Sequence, residues 1–228
     1  MTEFSIDEIA HSLQTLNNTL SLEQYQQAAM AYEVVIGSIA EQPTGVIQDP
    51  AGSAIGTGVA PAGAGLSRAI YQRYQLDPIP DIAPGCAIMN SATGDGKRIL
   101  HTHSYQLHHA PDIWEATRQI ADSYLEAIQV FVANVYMHGQ YTMHFSAVSA
   151  GMLAGKYRNP LYNHLDPSVT QMALVHALAT YESSYPAVLS GYTFNLFYFG
   201  DPIHPTPLYL KAQQVQQALR QCAISTGL

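Results

Sequence analysis

The spacing of apolar residues divides this chain into two regimes. Residues 5–17 set Ile6, Ile9, Leu13 and Leu16 on one stripe at helical spacing, which predicts an amphipathic helix. Ser5 and Glu8 form a capping box for it, with Phe4 and Ile9 at hydrophobic-staple positions. Ser21-Leu-Glu-Gln24 repeats the capping signature and predicts a second helix to about Met30. From Tyr32 the period changes. YEVVIG (32–37), TGVIQD (44–49), GCAIMNSA (85–92), KRILHTHSY (97–105), QYTMHFSAV (140–148) and SGYTFNLFYFG (190–200) are short apolar or aromatic runs bounded by Gly, Pro or polar residues. They predict six strands. Helical patterns begin near Gly65, run from Pro111-Asp112 to about His138, follow Asp166-Pro167, and run from Pro207 to about Cys222. Strands alternating with helices predict an α/β sandwich with a largely parallel sheet, spanning 31–228, with residues 1–30 as a helical hairpin packed on it.

Two connections stand apart from this pattern. Residues 51–65, AGSAIGTGVAPAGAG, contain ten Gly or Ala and no charge. A linker would lead to a second separable unit, whereas this stretch leads from a strand ending near Asp49 straight into a helix. That is the carboxyl end of a strand in an α/β sheet, where ligands bind. Small residues there let backbone approach a ligand, and the helix start offers free N–H groups. The second connection, Ser149-Ala-Gly151-Met-Leu-Ala-Gly155, again follows an apolar strand and carries no charge before Lys156. Two such loops at one sheet edge can grip a diphosphate from both sides through backbone N–H donors.

Charge sharpens this reading. The net charge is −8 and the first Lys or Arg is Arg68, so residues 1–67 hold seven acids and no such base. With Lys and Arg unclustered, no nucleic-acid partner is expected, and any phosphate must be held mostly by backbone. No apolar run approaches the roughly 18 residues of a membrane span, so no membrane partner is expected. MTEFSIDEIA lacks the basic and apolar regions of a secretion signal, and Cys86 and Cys222 match no metal or redox spacing. A cytoplasmic setting with reduced thiols is the expectation.

Taken in order, six segments resemble the macro domain, a family that binds ADP-ribose. VVIGSI (34–39) resembles its strand and G-D-I turn, and VIQDPAG (46–52) stands where the family has V-N-A-A-N. GAGLSRAI (63–70) is similar to G-G-G-V-D-x-A-I, and ILHTHS (99–104) to I-H-T-V-G. FSAVSAGMLAG (145–155) resembles P-A-I-S-x-G-I-F-G, and FNLFYFGD (194–201) the last strand with its acidic residue. The resemblance implies a three-layer α/β/α sandwich with a mixed, largely parallel six-stranded sheet. It implies adenine near Ser38, Ile39 and Phe199, a diphosphate across Ser149, Ala150, Gly151, Met152, Leu153 and Ala154, and distal ribose near Gly63, Gly65, Leu66 and Ser67. The partner is then ADP-ribose, free or as an ADP-ribosylated protein, with no cofactor.

The departures bear on catalysis. The adenine-binding aspartate falls on Ser38, the asparagines on Gln48 and Ala51, and the ribose-end aspartate on Ser67. Binding without turnover is therefore the expectation. An ADP-ribosyl hydrolase with a rearranged catalytic set, and a degenerate interaction module, remain the alternatives. Asp49 is the one carboxylate near the first loop and is the candidate general base if it faces the cleft; otherwise it is a turn residue before Pro50. His101 and His103 form an H-x-H on one strand face, with His108 and His109 nearby. No Asp or Glu occurs between Asp95 and Asp112 to complete a metal site, so structural histidines and no metal are expected. Tyr192, Phe194, Leu196 and Tyr198 share one strand face and Phe197 and Phe199 the other, a pattern of burial on both faces.

Overall fold

Alternation along the central strands decides the layering. In the computed structural model, which describes residues 6–51, 65–77, 82–90 and 93–222, neighbouring residues of each strand feed two different apolar cores. Val46, Leu100 and Leu196 enter the larger core, whereas Ile47, Ile99 and Phe197 enter a smaller one on the opposite face. Side chains alternate across a strand, so a sheet covered on both faces needs apolar residues at both parities.

The strands are β1 (Tyr32–Ile36), β2 (Val46–Ala51), β3 (Ala87–Met89), β4 (Ile99–His103), β5 (Thr142–Ser146), β6 (Arg158–Asn159), β7 (His164–Leu165) and β8 (Thr193–Tyr198). Six of them form one sheet in the order β1-β8-β5-β2-β4-β3. All neighbours are parallel except β3, which pairs antiparallel with β4. The helices are α1 (Ile6–Leu16), α2 (Leu22–Met30), α3 (Leu66–Tyr74), α4 (Ile113–Ala133), α5 (Val135–His138), α6 (Pro167–Ser184) and α7 (Pro207–Leu219). The two cores put helices on both faces, so the architecture is the expected α/β/α sandwich with a mixed, mostly parallel six-stranded sheet.

The larger layer is built by α4 and α6 with α1, α2 and α7 around them. Helix α6 is buried almost all round, from Val169 to Tyr181, which suits an interior helix. Its start follows from Asp166, whose carboxylate accepts from the Ser168 N–H, and from Pro167 at the first helical position. Ile9, Leu13 and Leu16 of α1 and Tyr25, Ala28 and Ala29 of α2 belong to the same core as the sheet's larger face. Polar bonds join these pieces too. Tyr32 Oη donates to Gln171 Oε1 at 2.6 Å, while Gln216 Nε2 and Arg220 Nη2 both donate to the Tyr32 carbonyl. The smaller layer consists of α3 and a 3-10 turn at Ile39–Glu41, closing over Ile47, Ile99 and Phe197.

Several sequence expectations need adjustment. The helix expected from Pro111-Asp112 to His138 is two: it breaks at Asn134, whose Nδ2 bonds the Val130 carbonyl one turn back, before the short α5. The strand expected to end near Asp49 continues to Ala51. The β6–β7 hairpin was not foreseen, its strands being two residues each. The Ser21–Gln24 capping box is present on both sides, with Gln24 N to Ser21 Oγ at 3.2 Å and Ser21 N to Gln24 Oε1 at 2.8 Å. Phe4 and Ser5, expected to cap and staple α1, lie outside the described residues. Among the described residues no helix is long and apolar enough to cross a membrane.

His144 shows how the sheet handles a buried imidazole. Its Nε2 bonds the Thr44 carbonyl at 2.9 Å, Asn195 Nδ2 donates to its Nδ1 at 3.3 Å, and its ring stands edge-on to Phe197. Both nitrogens are satisfied by a neutral ring, and burial holds its pKa below the ordinary value. His164 and His176 are lowered for the same reason.

Two outcomes follow for stability. Leu13 is fully buried in the shared core. Leu13→Ala should therefore cost about 2–5 kcal/mol in a single cooperative denaturant transition rather than melting a separate unit. For the lowered histidines, the unfolded chain binds more protons than the native one, so stability rises with pH. Their contribution is complete above the ordinary value of 6.5 and is lost as pH falls below it. Melting temperature should fall between about pH 7.5 and about pH 5.5, and His144→Gln, which keeps a donor and an acceptor, should flatten that slope.

Candidate functional site

The site forms where two neighbouring parallel strands part. Strand β2 pairs with β5 only at Val46↔Met143 and Ile47↔His144. Beyond Ile47 the side chain of Gln48 takes over from the ladder. Its Oε1 accepts from the Ser146 N–H at 3.3 Å, and its Nε2 donates to Thr102 Oγ1 of β4 at 3.0 Å. Gln48 is fully buried, so its amide acts as a spacer between three strands rather than as a group facing solvent. The carboxyl ends of β2 and β5 therefore lie side by side at one edge of the sheet; of the two small-residue connections that follow them in the sequence, 147–155 is among the described residues and 52–64 lies outside them.

The connection after β5 is held from below. Tyr124 Oη of α4 donates to the Ser146 carbonyl at 2.7 Å and accepts from the Val148 N–H at 3.3 Å. Ser149 adopts a positive φ of 54° and its hydroxyl donates to the Tyr105 carbonyl. Ser149, Ala150 and Ala154 are buried, so these three offer a ligand their backbone rather than their side chains. Gly151 is exposed, and a Cβ placed on it meets none of the described residues within 4 Å. A 3-10 turn over Met152–Tyr157 follows, and its opening N–H groups, at Met152 and Leu153, have no carbonyl inside the turn to bond. Gly155 has a different reason to be glycine: its φ is +53° and a Cβ there would lie 2.7 Å from His108 Cβ. His108 and His109 are exposed, with ring centroids 3.8 Å apart and ring planes tilted by 42°.

On the other side of the parting, Gly65 caps α3 with φ 65°, and none of the described residues lies within 4 Å of its Cβ position. Leu66 packs partly against the smaller core, and Ser67 is buried. Gly63 lies outside the described residues. Farther along the same edge, Ser38 precedes the 3-10 turn at the end of β1 and is half-buried. Ile39 is committed to the smaller core, and Phe199, just past β8, is 81% exposed. Because β1, β8, β5, β2 and β4 run parallel, all these positions gather at one edge.

Asp49 departs from the turn reading. It is inside β2, faces the α3 side of the sheet and is fully buried, so it is not a turn residue. Its Oδ2 lies 2.7 Å from His101 Nδ1 on the paired strand β4. The Tyr71 ring of α3 covers His101 at 5.6 Å between centroids. His103, two residues on, bonds the Ile82 carbonyl through Nδ1. Among the described residues, no three His, Cys, Asp or Glu are placed to hold a metal ion. The carboxylate partner of His101 comes not from its own strand but from the neighbouring one. The usable signal was the strand-end alignment of VIQDPA with ILHTH, which sets Asp49 opposite His101 once β2 and β4 are paired.

Gln48 allows a direct check of how the edge is held open. Gln48→Leu removes the acceptor for the buried Ser146 N–H and the donor to Thr102. It should lower stability by about 1–3 kcal/mol, measured by chemical denaturation. Hydrogen exchange should also quicken at Ser146 and Val148.

No protein-family model matches the chain, and no curated protein sequence matches it. Solved structures do. A Trypanosoma brucei macrodomain, solved in complex with ADP, superposes with a TM-score of 0.57 at 10% identity, covering 89% of this chain and 75% of that one. A macrodomain variant from Oceanobacillus iheyensis gives 0.51 at 19% identity, covering 82% and 90%. An alphavirus protein gives 0.54 at 18% identity over 83% of this chain, which spans only 24% of that longer protein. With a six-stranded mixed sheet between two helical layers, and solved macrodomains matching over four fifths of its length or more, the chain has the macrodomain fold.

Proposed function

We propose that this protein binds ADP-ribose, or a related nucleotide diphosphate, free or attached to protein, between the connection after β2 and the connection after β5. The observation that carries the reading is the parting of β2 and β5 beyond Ile47, with the carboxyl ends of the two strands side by side at one edge of the sheet and each followed in the sequence by an uncharged, small-residue connection. Supporting it, Gly151 is bare although none of the described residues crowds its Cβ position, so the packing of those residues does not explain the glycine. A backbone that a ligand must approach closely does explain it. The opening N–H groups of the following turn supply donors for phosphate oxygens without any Lys or Arg. On this reading Phe199, exposed at the end of β8, is free to stack on the base, with Ser38 offering a hydroxyl where a carboxylate would bind more strongly. Gly65, Leu66 and Ser67 at the start of α3 line the ribosyl end. The macrodomain of T. brucei that superposes here carries ADP, which is the matching chemistry in a structural neighbour.

Isothermal titration with ADP-ribose tests the reading. Wild-type protein should bind. Gly151→Val places a branched side chain in the open space beside the phosphate path and should cost at least about 2 kcal/mol, roughly thirtyfold in Kd, with the fold retained. Equal affinity in a folded Gly151→Val protein would remove the connection after β5 from the site.

A further inference from the structure

Asp49 and His101 are both fully buried and bonded to each other. Yet Asp49 Oδ1 and His101 Nε2 have no hydrogen-bond partner among the described residues. Stability does not account for such a pair. Desolvation offsets the attraction of buried charges, and an apolar pair of similar volume often holds a fold as well or better. Two unmet polar atoms add a further cost. A buried group without a partner calls for an explanation, and here both members of one bonded pair are of that kind.

The surroundings indicate which function. A carboxylate only accepts, so His101 Nδ1 carries the proton shared with Asp49, and in the neutral ring Nε2 is a bare lone pair. The hydrogen bond fixes the tautomer and orientation of the ring. The pair lies two residues below the end of β2, on the face covered by α3. Tyr71, over His101, and Ser67 are one helical turn apart on the buried face of α3. The first turn of that helix is the ribosyl end of the proposed site.

We propose that Asp49 and His101 form a recognition pair for a ribosyl hydroxyl, in which Asp49 orients the ring and His101 Nε2 accepts from the hydroxyl. This inference rests on the ADP-ribose reading above. It assigns discrimination between ADP-ribose and ADP to a strand-borne Asp–His pair, since ADP lacks the distal ribose. The test is calorimetric titration of both ligands against wild type, the paired apolar variant Asp49→Val with His101→Leu, and His101→Gln alone. Thermal unfolding of each variant confirms that it is folded, and His101→Gln carries the test if the paired variant is not. The expected result is a loss of at least about tenfold for ADP-ribose, the scale of one buried hydrogen bond, with ADP affinity changed less than about twofold. Parallel losses for both ligands, or no loss for either, would overturn the pair's role while leaving the binding reading intact. Wild-type protein that binds neither ligand would overturn both.

Discussion

The structure depends on one divergence, that of β2 from β5 after only two paired residues on each. Parallel strands leave evenly spaced donors and acceptors along their edges, and a strand that peels away must satisfy them otherwise. Gln48 does this with a single amide: its oxygen takes the Ser146 N–H and its nitrogen reaches Thr102 on the far neighbour. Tyr124 completes the arrangement from the helical layer by bonding the Ser146 carbonyl and the Val148 N–H. The edge of the sheet is thus opened without leaving these three groups of the departing backbone unpaired. Everything proposed for ligand binding follows from that opening.

The two faces of the sheet divide the labour. The α4–α6 side carries nearly all the large buried side chains and draws α1, α2 and α7 into one core. Among the described residues, the α3 side rests on a small cluster of buried apolar side chains, Ile39, Ala40, Ile47, Ile70, Ile99 and Phe197. The carboxylate and imidazoles buried in the central sheet sit on this thinner side: Asp49, His101, His103 and His144 are buried there. His144 is fully satisfied and explains itself as structure, bonded to Thr44 and Asn195 at the amino end of the sheet. The Asp49–His101 pair is not satisfied and stands nearer the carboxyl end. Stability concentrated on one face leaves the other able to carry costly groups.

The layers and the strand succession were legible in the sequence because they rest on local periodicity. TGVIQD and SGYTFNLFYFG announce burial on both faces, and Asp112, Asp166 and Thr206 cap the helices they precede. The small-residue connections were legible too, since a run without charge between a strand and a helix is a local pattern. What was not legible depends on register. Whether Asp49 faces the cleft or His101 is decided by which strand lies beside β2 and in what phase, and no window of sequence contains that information. Gln48 is a second case. Aligned with an asparagine in the macro-domain pattern, it reads as a lost ligand group, whereas the structure uses its extra methylene to span to β5 and β4. The break at Asn134 was missed because the apolar period runs on through α5, where His138 stacks on Phe131.

The charge distribution sets the character of the proposed recognition. A protein of net charge −8 whose first 67 residues contain no Lys or Arg does not attract an anionic ligand by its overall field. Any affinity for a diphosphate must come from short-range donors fixed in place, and backbone N–H groups at a strand-to-turn junction are such donors. Their strength depends on geometry rather than on mobile side chains, so the positions that hold the backbone matter more than those that touch the ligand. Gly155 against His108, Ser149 against Tyr105 and Gln48 against Ser146 are positions of that kind. None carries a charge that a motif search would notice. In this protein the chemistry of the site is written mainly in the residues that shape its backbone.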